Sequence, residues 1–194
     1  MTNYTIINPI ALKKALKPDM KKGTVMIQRK GGNGYVCNGC FIVKMPENYL
    51  NEFVQPVARH DMPADGSTIV CKSGSWSDGG ADLEKMLVSN AAKVGHTAEN
   101  LDISVQTREK KKRCLSLYAV NGQLVALDSV YTDIIDDSTY KTYAKGNTMV
   151  SPIVVTKDET LEESSSAVLV LPVKLSAVER DTVERLQKLA SCVL

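Results

Sequence analysis

Cys37-Asn38-Gly39-Cys40 sets two thiols across a two-residue turn, the spacing at which a zinc knuckle presents two thiolates to a tetrahedral metal. Cys71 or His60 would complete the shell, but no second pair follows at a regular spacing. Asn-Gly is also the commonest two-residue hairpin turn, and a free cysteine in a strand behaves as a small apolar residue. The expectation is a reduced, metal-free hairpin and no cofactor.

Lysine spacing suggests a different chemistry. Lys13, Lys14, Lys17, Lys21 and Lys22 crowd a segment in which residues 1–30 hold seven Lys and Arg against one Asp. Such density is the footprint of a phosphate-binding surface, where neutralised phosphates release their counterions. Arg108-Glu109-Lys110-Lys111-Lys112-Arg113 is a second basic run. Lying between two strands, it is either a phosphate clamp or a solvated hairpin tip. The candidate polyanion-binding set, which would be the DNA-binding set if the polyanion is DNA, is therefore Lys13, Lys14, Lys17, Lys21, Lys22, Arg108, Lys110, Lys111, Lys112 and Arg113. Tyr118, Tyr131, Tyr140 and Tyr143 have rings that stack on bases, although tyrosine at alternating strand positions more commonly packs a half-buried sheet.

Catalytic patterns are missing from the sequence. There is no G-x-S-x-G, Walker A, H-E-x-x-H or G-x-G-x-x-G, and Gly31-Gly32-Asn33-Gly34 leads into a strand rather than a helix that would receive phosphate. Only His60 and His96 are available as histidine bases. Asp133, Asp136 and Asp137 read as a solvated acidic helix face. The chain is expected not to be an enzyme.

The elements that must position these groups are legible from capping and periodicity. After a short alternating stretch, Tyr4-Thr5-Ile6-Ile7, Asn8 reads as an N-cap and Pro9 as the first residue of a helix running to about Lys17 and stopped before Pro18. Strands follow at Thr24 to Gln28, Tyr35 to Cys37 and Cys40 to Val43. Between them and residue 100, a short helix over Tyr49 to Val54, a strand over Thr68 to Cys71, a loop over Ser73 to Gly80 and a helix over Ala81 to Val94 are expected. Strands resume at Ile103 to Val105, Leu115 to Val120 and Leu124 to Leu127. A helix over Val130 to Asp137 comes next, then strands at Tyr140 to Tyr143, Ile153 to Val155 and Val168 to Leu171. Ser176 and Glu179 form a capping box before a last helix with Val178, Val183, Leu186, Leu189, Ala190 and Val193 on its apolar side. A strand-helix-three-strand pattern thus occurs twice.

The whole chain sets limits on these readings. At 194 residues with 43% hydrophobic content it suits one sizeable core with embellishments. The longest apolar run, Ala167 to Val173, falls far short of the roughly 20 residues of a membrane helix, and no signal-peptide pattern opens the sequence. Five cysteines, an odd count without a secretion signal, fit reduced thiols in the cytoplasm. Net charge is only +2, so any polyanion contact must be local.

One stretch carries a resemblance. Leu124-Val125-Ala126-Leu127 leads into Tyr131-Thr132-Asp133-Ile134-Ile135. Gly146 then precedes Ser151-Pro152-Ile153-Val154-Val155, and Val168 to Leu171 runs on into Pro172-Val173-Lys174-Leu175. This order resembles the C-terminal domain of the bacterial DNA sliding clamp, the polymerase processivity factor. There a strand enters a Tyr-containing helix, a strand carries Ser-Pro before aliphatic residues, and a closing strand ends apolar-Pro-apolar-Arg-Leu. The first half, with its Leu12-Lys13-Lys14-Ala15-Leu16 helix, is similar to the opening half of a clamp domain, so that roughly 120 residues are covered by element order.

The resemblance implies an α+β, DNA-clamp-like fold, two strand-helix-three-strand halves with helices on one face of antiparallel sheets. The halves would be residues 1–45 and 101–175, with 46–100 an insertion or subdomain and 176–194 an added C-terminal helix. It implies a non-catalytic, replication-associated factor that binds DNA backbone non-specifically through a local basic face. Leu171, Pro172, Val173, Lys174 and Leu175 would border a site for a replication protein's peptide, and the chain would act as a homo-oligomer away from membranes. Asp133, Asp136 and Asp137 depart from the family's basic inner face, and one domain per chain departs from its rings of six domains. The alternative is an interaction module or oligomeric adaptor that keeps the fold without DNA; a small zinc-binding protein is third.

Overall fold

The computed structural model of the chain describes residues 6–107, 113–136, 142–147 and 151–191. Its architecture is α+β. Eleven strands among these residues form one antiparallel sheet: β1 (Thr24–Lys30), β2 (Asn33–Cys37), β3 (Phe41–Pro46), β4 (Thr68–Lys72), β5 (Ser75–Gly79), β6 (His96–Gln106), β7 (Cys114–Val120), β8 (Gln123–Asp128), β9 (Tyr143–Gly146), β10 (Ile153–Thr156) and β11 (Ala167–Val170). Their spatial order is β5-β4-β1-β2-β3-β11-β10-β9-β6-β7-β8. Residues 46–100 thus supply two strands at one edge of the sheet and the start of another nearer its opposite edge.

The sheet curls. Leu171 N–H donates to the Cys40 carbonyl at 2.9 Å, and Val173 N–H donates to that of Ala126 at 3.1 Å. Two residues span at most ~7 Å, so β8, last in the sheet order, comes back beside the turn that opens β3.

Helices cover both faces, and strand alternation decides which residues meet them. On one face lie α1 (Pro9–Lys22), the continuous helical segment made of α2 (Glu47–Tyr49), a π turn (Leu50–Val54) and α3 (Gln55–Ala58), and the short α5 (Ser129–Thr132). Leu12, Leu16, Leu50, Phe53 and Val54 join Val25, Ile27, Val36, Phe41, Val43, Val125 and Val168 in the largest buried cluster. The alternate residues of the same strands look the other way. There Leu83 and Leu87 of α4 (Leu83–Ala91) meet Tyr35, Cys37, Ile42 and Leu169, and Val183 of α6 (Ala177–Ser191) meets Leu115, Leu117, Leu124 and Ala126. Gly34 admits the π turn to the sheet, since a Cβ there would stand 2.7 Å from Leu50 Cβ.

Several elements differ from expectation for identifiable reasons. α1 does not stop before Pro18 but runs a further turn to Lys22. Proline inside a helix costs about 3 kcal/mol, and here the added turn is held by buried Met20 and by Asn38, whose amide donates to Asp19 Oδ2 at 2.7 Å. The Ser73 to Gly80 stretch is not a loop: Ser73 and Gly74, both at positive φ, turn β4 into β5. α5 ends at Thr132, short of the expected stretch, whose last residue Asp137 lies outside the described residues, because the chain's polar groups are taken up by the segment before α1. Asn8 N–H donates to the Ile134 carbonyl at 2.7 Å, Asp136 N–H donates to that of Ile6 at 2.6 Å, and Ile7 bridges Ile135. Cys37 pairs with Ile42, so the turn spans four residues and Cys40 stands outside the ladder.

Candidate nucleic-acid interface

The five lysines of α1 are placed by its start and by its passage through Pro18. Asn8 Oδ1 accepts from Ile10 N–H at 3.1 Å and from Ala11 N–H at 3.2 Å, fixing the first turn as an N-cap does. Leu12, Ala15, Leu16 and Met20 face the core, which leaves the lysines on the outer side. Lys13, Lys17 and Lys21 succeed one another at four-residue intervals and so line up along the helix. The turn beyond Pro18 is what adds Lys21 to the row and Lys22 beside it.

This row forms one wall of a cleft of about 570 Å³, whose other wall is Pro56, Val57 and Arg59 at the end of α3. Arg59 belongs to the site although its sequence context does not announce it. It caps α3 in the left-handed conformation, φ 51°, ψ 38°, a position usually held by glycine or asparagine. Among the described residues, the ion pairs are Arg29–Glu47, Lys30 with Asp82 and Glu84, Arg113–Glu179 and Arg185–Asp181. None of the α1 lysines or Arg59 takes part in one. Four cations thus converge on one cleft with no carboxylate partner among those residues. Lys14 and Lys22 are exposed outside the cleft lining. On the far side, α1 packs against α5, where Asp133 is exposed.

Of the second basic run, only Arg113 is among the described residues. Arg108, Lys110, Lys111 and Lys112 are outside the described residues. Arg113 lies just before β7, and its guanidinium Nη2 stands 3.2 Å from both carboxylate oxygens of Glu179 on α6. α6 covers the sheet face opposite α1, so Arg113 is a tie for that helix and stands apart from the cleft.

Leu171 to Leu175 follow β11 without continuing it. Leu171 is 39% exposed and Lys174 is exposed, whereas Val173 and Leu175 pack with Val183 and Leu186 of α6. Of the tyrosines, Tyr118 is buried, Tyr143 lines a cavity on the α4 side with Lys145 and Leu161, and Tyr140 lies outside the described residues. Tyr131 stacks obliquely on Phe41, ring centres 5.4 Å apart. Burial, and next the neighbouring Cys40, push its phenol well above the ordinary value.

The cysteines point in different directions. Cys37 is buried, and burial pushes its thiol up. Cys40 is exposed, and Cys71 is buried, its thiol donating to the Met20 carbonyl at 3.4 Å. Among the described residues no three His, Cys, Asp or Glu side chains are grouped to hold a metal ion. No helix among them is long and apolar enough to cross a membrane. Comparison of the chain with family models, curated proteins and solved structures gave no match.

Proposed function

We propose that this protein is a non-catalytic, clamp-like factor that holds DNA by its backbone through the α1 face. One observation carries the reading: Lys13, Lys17 and Lys21 form an aligned row opposite Arg59 across an open cleft. Cations kept together without counter-charges repel one another, and a polyanion relieves that repulsion. The placement of α1 and α5 on one sheet face supports a clamp-like organisation, with the chain acting as a homo-oligomer in the cytoplasm. Exposed Leu171 and Lys174 are left to a partner peptide of the replication machinery.

A second reading has its own observation. Exposed Asp133 follows α5, which packs against α1, and charges of both signs around that helix suit an adaptor that pairs with proteins or with its own copies. Titration of duplex DNA at about 50 mM salt, where backbone binding is strongest, separates the two. Binding that weakens steeply as salt rises supports the DNA reading. Absence of binding at that salt leaves the adaptor.

A further inference from the structure

The basic cleft has an aromatic neighbour. Arg59 lines both the cleft and an adjoining hollow of about 380 Å³, shared with Gln55, His60 and Asp61. His60 is exposed and lies over Trp76 of the edge strand β5, ring centres 4.9 Å apart and planes 28° from parallel. Trp76 in turn packs against the main buried cluster on the α1 face. The imidazole is held in place: its Nδ1 is 2.8 Å from the Asp61 carbonyl, and because a carbonyl only accepts, Nδ1 carries the hydrogen. A flat ring is thus presented to solvent, backed by a second ring and fixed at its edge, immediately after an arginine that belongs to a lysine-lined cleft.

This pairing of groups distinguishes two forms of nucleic acid. Lysine and arginine neutralise phosphates of duplex and single strand alike. An exposed ring adds affinity only for bases that are not already stacked, as in single-stranded sites that combine a basic groove with aromatic platforms. We infer that the cleft continues into a single-strand site, in which phosphates lie between Lys13, Lys17 and Lys21 on one wall and Arg59 on the other while one unpaired base stacks on the outer face of His60. The inference rests on the backbone-binding reading above and adds the class of nucleic acid. Asp61, the carboxylate in the hollow, sets a limit on how far the phosphate track extends past Arg59.

The test compares three probes on the intact chain by fluorescence anisotropy at about 50 mM salt. These are a thymidine strand of about 12 nucleotides, a duplex of equal length and an abasic strand of equal length. His60 is exposed, so His60→Ala is expected to fold. It should weaken thymidine-strand binding between about 5-fold and about 150-fold, the range for loss of one base stack, and leave duplex and abasic binding unchanged. His60→Tyr, which keeps a ring, should restore the thymidine strand. Trp76 is the chain's sole tryptophan, so its emission should change with the thymidine strand and not with the duplex. If His60→Ala binds the thymidine strand as the wild type does while duplex binding persists, the single-strand site is overturned and the backbone reading stands. If the wild type binds none of the three probes, the backbone reading fails and takes this inference with it.

Discussion

Arg113 and Glu179, 66 residues apart in sequence, form an ion pair that fastens α6 to the start of β7, the single nitrogen Nη2 standing 3.2 Å from both carboxylate oxygens. Glu179 is 5% exposed, and its carboxylate also accepts from Ser176 N–H at 2.8 Å, completing a capping box. Burial alone pushes the Glu179 carboxyl up, but the hydrogen bonds from Ser176 and Arg113 outweigh it and hold it below its ordinary 4.5. A carboxylate depressed in the docked state stabilises docking fully above its ordinary value, and that contribution is lost as pH falls through the depressed one. α6 should therefore loosen in acid, seen as faster amide hydrogen exchange in residues 177–188. Arg113→Met should cost about 2–3 kcal/mol at neutral pH and reduce that pH dependence, the Ser176 hydrogen bonds sustaining the remainder. Equal exchange at pH 3 and pH 7 in the wild type, after correction for intrinsic rates, would contradict the assignment.

The same helix closes the outer edge of β8. The Gln187 side chain accepts from Leu124 N–H at 3.3 Å and donates to the Gly122 carbonyl at 3.0 Å. An open edge strand invites pairing with another chain. Removing residues 177–194 should uncover Leu115, Leu117 and Leu124, bind an apolar dye and raise the mass measured by light scattering. A truncated chain of unchanged mass that binds no dye would mean the helix covers nothing.

Close packing between β2 and the π turn is equally testable. A methyl at Gly34 would lie 2.7 Å from Leu50 Cβ and 2.9 Å from Leu50 Cδ2, closer than carbon atoms approach. Gly34→Ala should cost about 1–3 kcal/mol, the range for overpacking a core, measured by urea unfolding. Full stability would show that the helical segment gives way freely.

Thiol labelling should discriminate the two cysteines of the hairpin. Cys40 is exposed, while Cys37 is buried with its thiol pushed up, and thiolates are the reactive form. An aromatic disulfide reagent should modify Cys40 promptly and Cys37 only under unfolding conditions. Simultaneous protection of both, released by a chelator, would point to a shared metal instead.

How far the sequence discloses this arrangement depends on the residue. Asn8 and Pro9 announce the start of α1, and Ser176 with Glu179 announces that of α6, because capping is a local interaction between neighbours. The lysine row is legible for the same reason. Pro18 misleads, since the burial of Met20 and the bond from Asn38 that hold the helix past it are tertiary. Val178 and Glu179 exchange roles: periodicity puts Val178 in the apolar stripe, yet it is 68% exposed, and Glu179 turns inward to meet Arg113. Arg59 and the His60–Trp76 stack leave no sequence signal, because a left-handed cap and an edge strand of Ser, Asp and Gly bring them together.

The salt dependence of duplex affinity decides whether the α1 cleft binds DNA phosphates. Wild type should be compared with a variant carrying Lys13→Ala, Lys17→Ala, Lys21→Ala and Arg59→Ala. Each neutralised phosphate contributes about −0.9 to the slope of log affinity against log salt. If all four cations contact phosphates, the variant's slope should be shallower by about 3 to 4, with its fold intact by circular dichroism. A variant that keeps the wild-type slope and affinity would overturn DNA binding by this cleft and move the binding surface away from α1.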